Sequence, residues 1–384
     1  MRILMAHTHY RQRGGEDESF LAEAALLESA GHEVTRYVLH NDALASMRSA
    51  EAALTTVWNR SAFRDVTRLL SDGGIQVAHF QNTFPLMSPS VYYAARNAGV
   101  PIVQTLRNYR LTCVNALLFR EGGPCESCVG SYAPWNGAVH GCYRDSRAAS
   151  AVVAGMLAFH KARGAFNDMV HTYVTLTDFA KRTLVRAGLQ ASKTVVKPNF
   201  LGTDPGAGPG RGGYALFVGR LSQEKGVATM LDAWGRLHRR IPLKVVGDGP
   251  LAATVAARSD IDLEWLGRRA PAEVLDLMGD AELLVFPSEC YETFGRVAVE
   301  AFAKGTPVIA SDIGAVAEIV DHGRTGLRFR PGDVAHLVET VESALSDPAR
   351  LQAMRREARL EFEAKYTAER NLQQLEAIYE RAIT

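Results

Sequence analysis

Residues 282–312, "ELLVFPSECYETFGRVAVEAFAKGTPVIASD", carry the reading that decides the fold. "ELLVFPS" is a short apolar run of the kind that forms a buried strand, and "PVIASD" at the far end is another. Between them, Val297, Val299, Ala301 and Phe302 suit a helix that opens near Gly295 and packs on a sheet. Strand, helix and strand within about thirty residues form one crossover unit, which joins parallel neighbours. Two acids punctuate the stretch, Glu292 in the loop and Glu300 inside the helix. A carboxylate on a largely buried helix is costly unless paired or hydrogen-bonded. A solvated surface glutamate is the competing reading.

The same alternation runs both ways along the chain. Upstream, "RILMAHTH", "EVTRYVLH", "IQVAHFQN" and "PIVQTLRN" read as strands, with helical "GEDESFLAEAALLESAGH" and "SPSVYYAARNAG" among them. The second half adds "YALFVGRL", "LKVVGDG" and "LEWLG". Such alternation predicts an α/β protein of two doubly wound, Rossmann-like parallel sheets. "LGTDPGAGPGRGG" is rich in Gly and Pro and reads as a linker. The expected division is 1–200 for the first domain, 201–212 for the linker and 213–366 for the second domain. Two consecutive helices close the chain, with a break at Tyr366-Thr367, and 367–384 is expected to cross back to the first domain.

The 384 residues suffice for two ordinary domains, and 47% apolar with 22% charged is a globular composition. No run of eighteen apolar residues exists, so no membrane-spanning segment is expected. "MRILMAHTHY" turns polar too soon for a secretory signal and reads as a first strand, which makes the cytoplasm the expected compartment. Residues 1–198 hold 21 basic against 15 acidic side chains, a small excess that suits an anionic ligand or a membrane surface. Arg60, Arg64 and Arg68 repeat every four residues and are candidates for peripheral contact at an inner membrane face, with a solvated helix face as the competing reading.

"FVGRLSQEKG" places Gly219, Arg220 and Lys225 at the end of the second domain's first strand. Two cations five positions apart can bracket a diphosphate, Arg with paired donors and Lys as a point charge. Solvated loop cations are the alternative, and a P-loop is excluded because the Gly-Lys-Ser/Thr order is missing. "VVGDGPL" adds Gly247 and Gly249, which by themselves indicate only a turn. In "YETFG", the amides of Thr293, Phe294 and Gly295 stand at a helix start, where an anion is favoured. Glu300 lies where it can accept hydrogen bonds from two ribose hydroxyls.

Taken in order, "GRLSQEKG", "VVGDGP", "PSECYETFGRVAVEAFAKGTPVIAS" and "VDHGRTGLRFRPGD" resemble family 4 of the retaining glycosyltransferases. The resemblance is most specific over 214–333. It implies the GT-B fold, a nucleotide-diphosphate sugar donor, and hexosyl or N-acetylhexosaminyl transfer to a glycan, lipid-linked or small-molecule acceptor. It implies that Arg220 and Lys225 hold the diphosphate, Glu300 the ribose and Glu292 the donor sugar, with Leu266 and Gly267 near the base. Gly14 and Gly15 of "YRQRGGEDE" would face the donor phosphates from the first domain, whereas Glu16, Asp17 and Glu18 read as acids offsetting the helix dipole. His79 and Asn82 fall on the acceptor side. The chain departs from the family pattern at Arg107 and Gln81, where histidines are often found. Arg107 would then steady the departing phosphate. The alternative is a catalytically silent sugar-nucleotide-binding protein. An oxidoreductase would need Gly-x-Gly-x-x-Gly after the first strand, and "RQRGGEDE" lacks that spacing. Members of the family work without a divalent metal at the site, and no nucleic-acid partner is expected.

Cys113, Cys125, Cys128 and Cys142 fall in a glycine-rich insertion at about 109–146. A Cys-x-x-Cys with two further cysteines in a cytoplasmic chain is a candidate for structural zinc, and separate buried thiols are the competitor.

Overall fold

A computed structural model describes residues 1–11 and 14–384 and divides the chain into two compact units. The first holds Met1–Leu118, Cys125–Gly202 and Ala368–Thr384, and the second holds Phe119–Pro124 and Thr203–Thr367.

In chain order the first unit supplies β1 (Arg2–His9), β2 (Glu33–His40), β3 (Val77–Phe80) and β4 (Ile102–Leu106). A small hairpin of β5 (Phe119–Arg120) and β6 (Gly123–Pro124) counts with the second unit, and β7 (Thr172–Thr175) and β8 (Thr194–Val196) complete the first sheet. The order is β2-β1-β3-β4-β7-β8, every pair parallel. β3, β4 and β7 are buried along their whole length, with His79, Gln104, Thr105, Thr172 and Thr175 among their apolar residues, while the edge strand β2 stays half-exposed.

The second unit contains β9 (Ala215–Val218), β10 (Leu243–Val246), β11 (Leu263–Gly267), β12 (Leu283–Phe286), β13 (Val308–Ser311) and β14 (Gly326–Phe329). Their order, β11-β10-β9-β12-β13-β14, is again parallel throughout. Residues 282–312 form the expected crossover: β12, the helix Arg296–Ala303, then β13, with Leu284 paired to Val308. Ala298, Val299, Ala301 and Phe302 are the buried face of that helix.

In both sheets the strand order reverses beside the first strand, between β1 and β3 and between β9 and β12. Loops leaving such neighbours diverge to opposite faces and open a crevice at the carboxyl ends of the strands. The last helix, Ala368–Ile383, belongs to the first unit, where Leu375 and Tyr379 are fully buried among Ile3, Met5, Phe20 and Val77. Truncating such a leucine to alanine typically costs about 2–5 kcal/mol, so this return of the chain is a substantial part of the first core.

The segment expected as a linker, 201–212, packs on the second unit from residue 203 onward. Residues 203–212 are fastened to the second unit rather than free: Gly208 N donates to Lys304 O at 2.9 Å, Gly210 N to Gly279 O at 2.9 Å and Gly212 N to Asp280 O at 2.8 Å. Arg359 adds an ion pair to Asp204 at 2.5 Å. Gly-rich composition here serves close backbone packing, which composition alone does not distinguish from flexibility.

Candidate functional site

In the second unit, the loops leaving β9 and β12 flank the switch point. Lys225 comes from the first loop and Glu292 from the second, and Lys225 Nζ donates to Glu292 Oε1 at 2.5 Å. Ser288 Oγ donates to the same oxygen at 2.8 Å. Further bonds tie the loops together: Glu289 N to Glu224 O at 2.9 Å, and Thr229 Oγ1 to Glu289 Oε1 at 2.5 Å. Gly226 makes this approach possible. Its φ is +66°, and a Cβ there would collide with the Pro287 carbonyl oxygen. Burial works against the charge on Lys225, but Glu292 and the other groups around it outweigh burial, so its pKa is raised and the ammonium is kept.

Arg220 is exposed at the end of β9 and, among the described residues, its guanidinium has no partner. Gly219 N donates to Val246 O at 3.0 Å and Leu221 N to Asp248 O at 3.0 Å, which sets the Arg220 backbone against the loop after β10. Gly247 permits that contact with φ +137°, because a Cβ would strike the Gly219 carbonyl oxygen. The two glycines of "VVGDGPL" therefore do more than turn the chain. Leu266 and Gly267 end β11, with β10 between them and β9; at about 4.8 Å per strand they stand roughly 10 Å from the end of β9.

The helix Arg296–Ala303 begins at Gly295 with no side-chain cap, and a helix start of this kind favours an anion. Phe294 buries its ring against Tyr366, centroids 6.1 Å apart, so it offers this site only its backbone. Glu300 is paired on its own helix, accepting from Arg296 Nε at 2.8 Å. Thr293 lies in the loop between Glu292 and the helix. Arg296, Ser288 and Glu289 were not singled out from the sequence. Their signal was present in the i, i+4 spacing of Arg296 and Glu300 and in the polar "PSE" following a buried strand.

In the first unit, Gly14 is extended, exposed, and has open space where a Cβ would lie; Gly15 begins the first helix, Gly15–Ser29. Asp17 departs from expectation. It is fully buried: Oδ2 accepts from Gly14 N at 3.0 Å, and Oδ1 accepts from His7 Nε2 and His9 Nδ1, each at 2.8 Å. Burial would raise its pKa, but the hydrogen bonds from both histidines and Gly14 hold it down at about 2. The dipole reading of this acid is therefore incomplete, since Asp17 pins the shoulder of the glycine loop. Histidines two apart on a strand, with an acid at the third position of the next helix, were the available signal.

His79 and Asn82, expected on the acceptor side, and Arg107, expected at the departing phosphate, are all buried in the first unit. His79 is fully buried, bonded to Tyr379 Oη and Thr105 Oγ1 at 2.7 Å each, and burial pushes its pKa down to about 4. Asn82 Nδ2 donates to Thr8 O at 2.8 Å and its Oδ1 accepts from Phe84 N, so its side chain shapes the turn after β3. Arg107 is buried with Glu23 at 3.1 Å, and its Nε donates to Gln81 Oε1 at 3.1 Å. Lys197, also fully buried, donates to Glu23 Oε1 at 2.7 Å. Against the cost of burial, Lys197 and Arg107 hold Glu23 down at about 2. The side chains of Arg107 and Gln81 are thus engaged by Glu23.

Among the described residues, His7, His9 and Asp17 are the one group of three such ligands whose donor atoms lie within 4.8 Å of one another. Their spacing is that of direct hydrogen bonds. All five cysteines are free thiols. A tetrahedral zinc with Zn–S of about 2.3 Å sets sulfurs roughly 3.8 Å apart, and Cys113, Cys125, Cys128 and Cys142 are not gathered to that degree. They do share a neighbourhood: the Cys128 thiol is pushed up to about 11, by burial first and then by the charges of Cys113, Cys125 and Cys142. The chain has one Asp-x-Asp, Asp260-Ile261-Asp262, which precedes β11 at the opposite end of the sheet from Lys225, with Asp260 bound to Arg258 at 2.8 Å.

Residues 207–361 match a family described as glycosyl transferases group 1. Glycogen synthase of Mycobacterium tuberculosis is 38% identical over 188 residues, which cover 47% of this chain and 44% of that protein. Alpha-maltose-1-phosphate synthase of Mycolicibacterium smegmatis is 30% identical over 252 residues, covering 59% of this chain and 62% of that one. The chain thus aligns with less than two thirds of either relative. Among solved structures, Anabaena Alr3699/HepE in complex with UDP and glucose aligns over 99% of this chain and 100% of its own, with TM-score 0.68 and 17% identity. Sucrose-phosphate synthase from Thermosynechococcus elongatus gives TM-score 0.71 at 17% identity over 99% of this chain and 98% of that one. Likeness at such identity shows the fold, which is GT-B.

Proposed function

We propose, from the match of residues 207–361 to glycosyl transferases group 1, that the protein is a retaining glycosyltransferase using a nucleotide-diphosphate sugar. The observation that supports the reading best is the meeting of Lys225 and Glu292 at the β9/β12 switch point, beside exposed Arg220 and a helix start. Two cations and a helix N-terminus suit a diphosphate. Glu300, close behind on the same helix, suits the ribose.

In the proposed step the acceptor hydroxyl oxygen bonds to the anomeric carbon as the carbon–oxygen bond to the diphosphate breaks. The hydroxyl proton passes to a phosphate oxygen on the same face, so configuration is kept. Arg220, Lys225 and the helix amides supply the positive charge facing the leaving group, in place of a divalent cation. Glu292 fixes the Lys225 ammonium and meets the donor sugar. Among the described residues no helix is long and apolar enough to cross a membrane, and the free thiols suit the cytoplasm. For the cysteine insertion we propose structural zinc, supported by the shared neighbourhood of the four thiols; a lack of stoichiometric zinc in reduced, chelator-free protein overturns it.

The test is a thermal-shift screen with UDP-, GDP-, ADP- and dTDP-sugars without added metal. A ligand that binds only folded protein raises Tm. A shift with one base, lost in Glu300→Ala, supports the donor site and identifies the nucleotide. No shift with any of them rejects it.

A further inference from the structure

We propose that the face of the first unit built on the helix Arg147–Ala162 docks on an anionic lipid surface. Between Arg147 and Lys161 this helix has no charged side chain apart from His160. His160 is buried, hydrogen-bonded to Val57 O at 2.8 Å and Tyr93 Oη at 3.1 Å, and burial lowers its pKa, so it is neutral. Soluble helices ordinarily put charge on their outer side. Here the outer side is Ala148, Ala151, Val152, Ala158, Phe159 and Ala162, exposed or half-buried.

Neighbouring segments add larger apolar groups. The helix Ser49–Val57, held by the His160 bond to Val57, shows Leu54 at 72% exposure. The helix Trp135–Val139 shows Trp135 at 51% and Val139 at 61%, four apart and hence on one side, while Gly137 between them is buried beside Val114. Tyr132, 59% exposed, has Lys161 Nζ 5.2 Å from its ring centre. Amphipathic Trp and Tyr beside snorkelling Lys and Arg are the chemistry of a bilayer interface.

Charge selects the occupant. Arg144 and Arg147 stand at one end of the helix and Lys161 and Arg163 at the other, with Asp145 the one acid between positions 127 and 167. Packing two copies of this face together, parallel or antiparallel, sets cations against cations. An anionic headgroup layer over an apolar interior complements both features at once. The helix has 16 residues, too few to cross a bilayer, so it would lie in the surface. The side chains of Arg60, Arg64 and Arg68 are exposed, and Arg68 pairs with Asp65 at 3.4 Å.

The experiment is vesicle flotation of the full chain, with phosphatidylcholine alone and with added phosphatidylglycerol, at low and high salt. Binding is expected to the anionic vesicles only and to fall with salt. Lys161→Glu with Arg163→Glu should lower it by about tenfold or more, as should Trp135→Ser with Phe159→Ser. Trp135, Phe159 and Arg163 are exposed and Lys161 is half-buried, so circular dichroism and the thermal shift with a sugar nucleotide should stay as in the parent, separating this outcome from failure of the donor site. Lack of binding to anionic vesicles at low salt overturns the proposal. Binding untouched by both variants also does, because the contact then lies elsewhere. A dimer in sedimentation that Phe159→Ser dissociates, without vesicle binding, gives the face to a second copy instead.

Discussion

Lys225 Nζ and Glu292 Oε1 stand 2.5 Å apart across 67 residues of sequence, joined where the strand order of the second sheet reverses. The pair predicts separable effects. Lys225→Ala should weaken donor affinity by about ten- to a hundredfold, the scale of one charge-assisted hydrogen bond. Glu292→Gln retains an acceptor for Ser288 and should mainly lower kcat. Calorimetric Kd values and steady-state rates for both variants check this; unchanged values in both would sink the assignment.

Glu300 accepts from Arg296 at 2.8 Å in the protein by itself. If it holds the ribose, Glu300→Ala should weaken the free nucleotide diphosphate and the sugar nucleotide equally, by about tenfold. A loss confined to the sugar nucleotide would move Glu300 to the sugar subsite.

Gly226 and Gly267 have nearly the same backbone, φ +66° and +67°, but different surroundings. At Gly267 a Cβ meets open space, so Gly267→Ala should cost only the left-handed backbone penalty of about 1–2 kcal/mol. Gly226→Ala adds a collision with Pro287 and should lower Tm further while weakening donor binding. Equal Tm losses in the two variants would show that the loops yield freely.

Glu23 is the single buried carboxylate between Arg107 and Lys197. Glu23→Gln leaves two buried cations without their counter-charge and should cost about 3–5 kcal/mol. Urea unfolding measures it; a loss below about 1 kcal/mol would mean that water reaches the cluster.

His79 gives a pH dependence whose sign can be worked out. Burial holds its folded pKa near 4, below the unfolded value of 6.5, so it stays neutral in the fold while the unfolded chain binds a proton. Its stabilising contribution is complete above pH 6.5 and is lost as pH falls toward about 4. By pH 4.5 the loss should reach about 2 kcal/mol, from a native pKa lowered by some 2.5 units. Unfolding curves between pH 7.5 and 4.5 check this, and His79→Asn should flatten the slope.

Much of the fold was legible because the sheets are parallel and buried. Strands covered on both faces favour apolar residues, and "LLVF" and "PVIAS" read as such strands when a helix of this periodicity lies between them. The acids and cations of the second unit were legible too, since loops at strand ends must carry whatever polar chemistry a buried strand cannot. Glycine proved ambiguous. The same residue type that suggested a linker at 201–212 fastens Gly208, Gly210 and Gly212 to their neighbours, because lacking a Cβ permits mobility and close packing alike.

The sequence by itself determined the two alternating α/β halves, the break at Tyr366-Thr367 and the residues at the strand ends, because each follows from local period and composition. Tertiary structure decided which of those residues share a site. It put Asp17 under the glycine loop rather than on a helix face, turned His79 and Arg107 inward to Tyr379 and Glu23, and set Lys225 against Glu292. These partners lie from 8 to 300 residues apart, and strand order, which no local pattern encodes, is what brings the distant ones together.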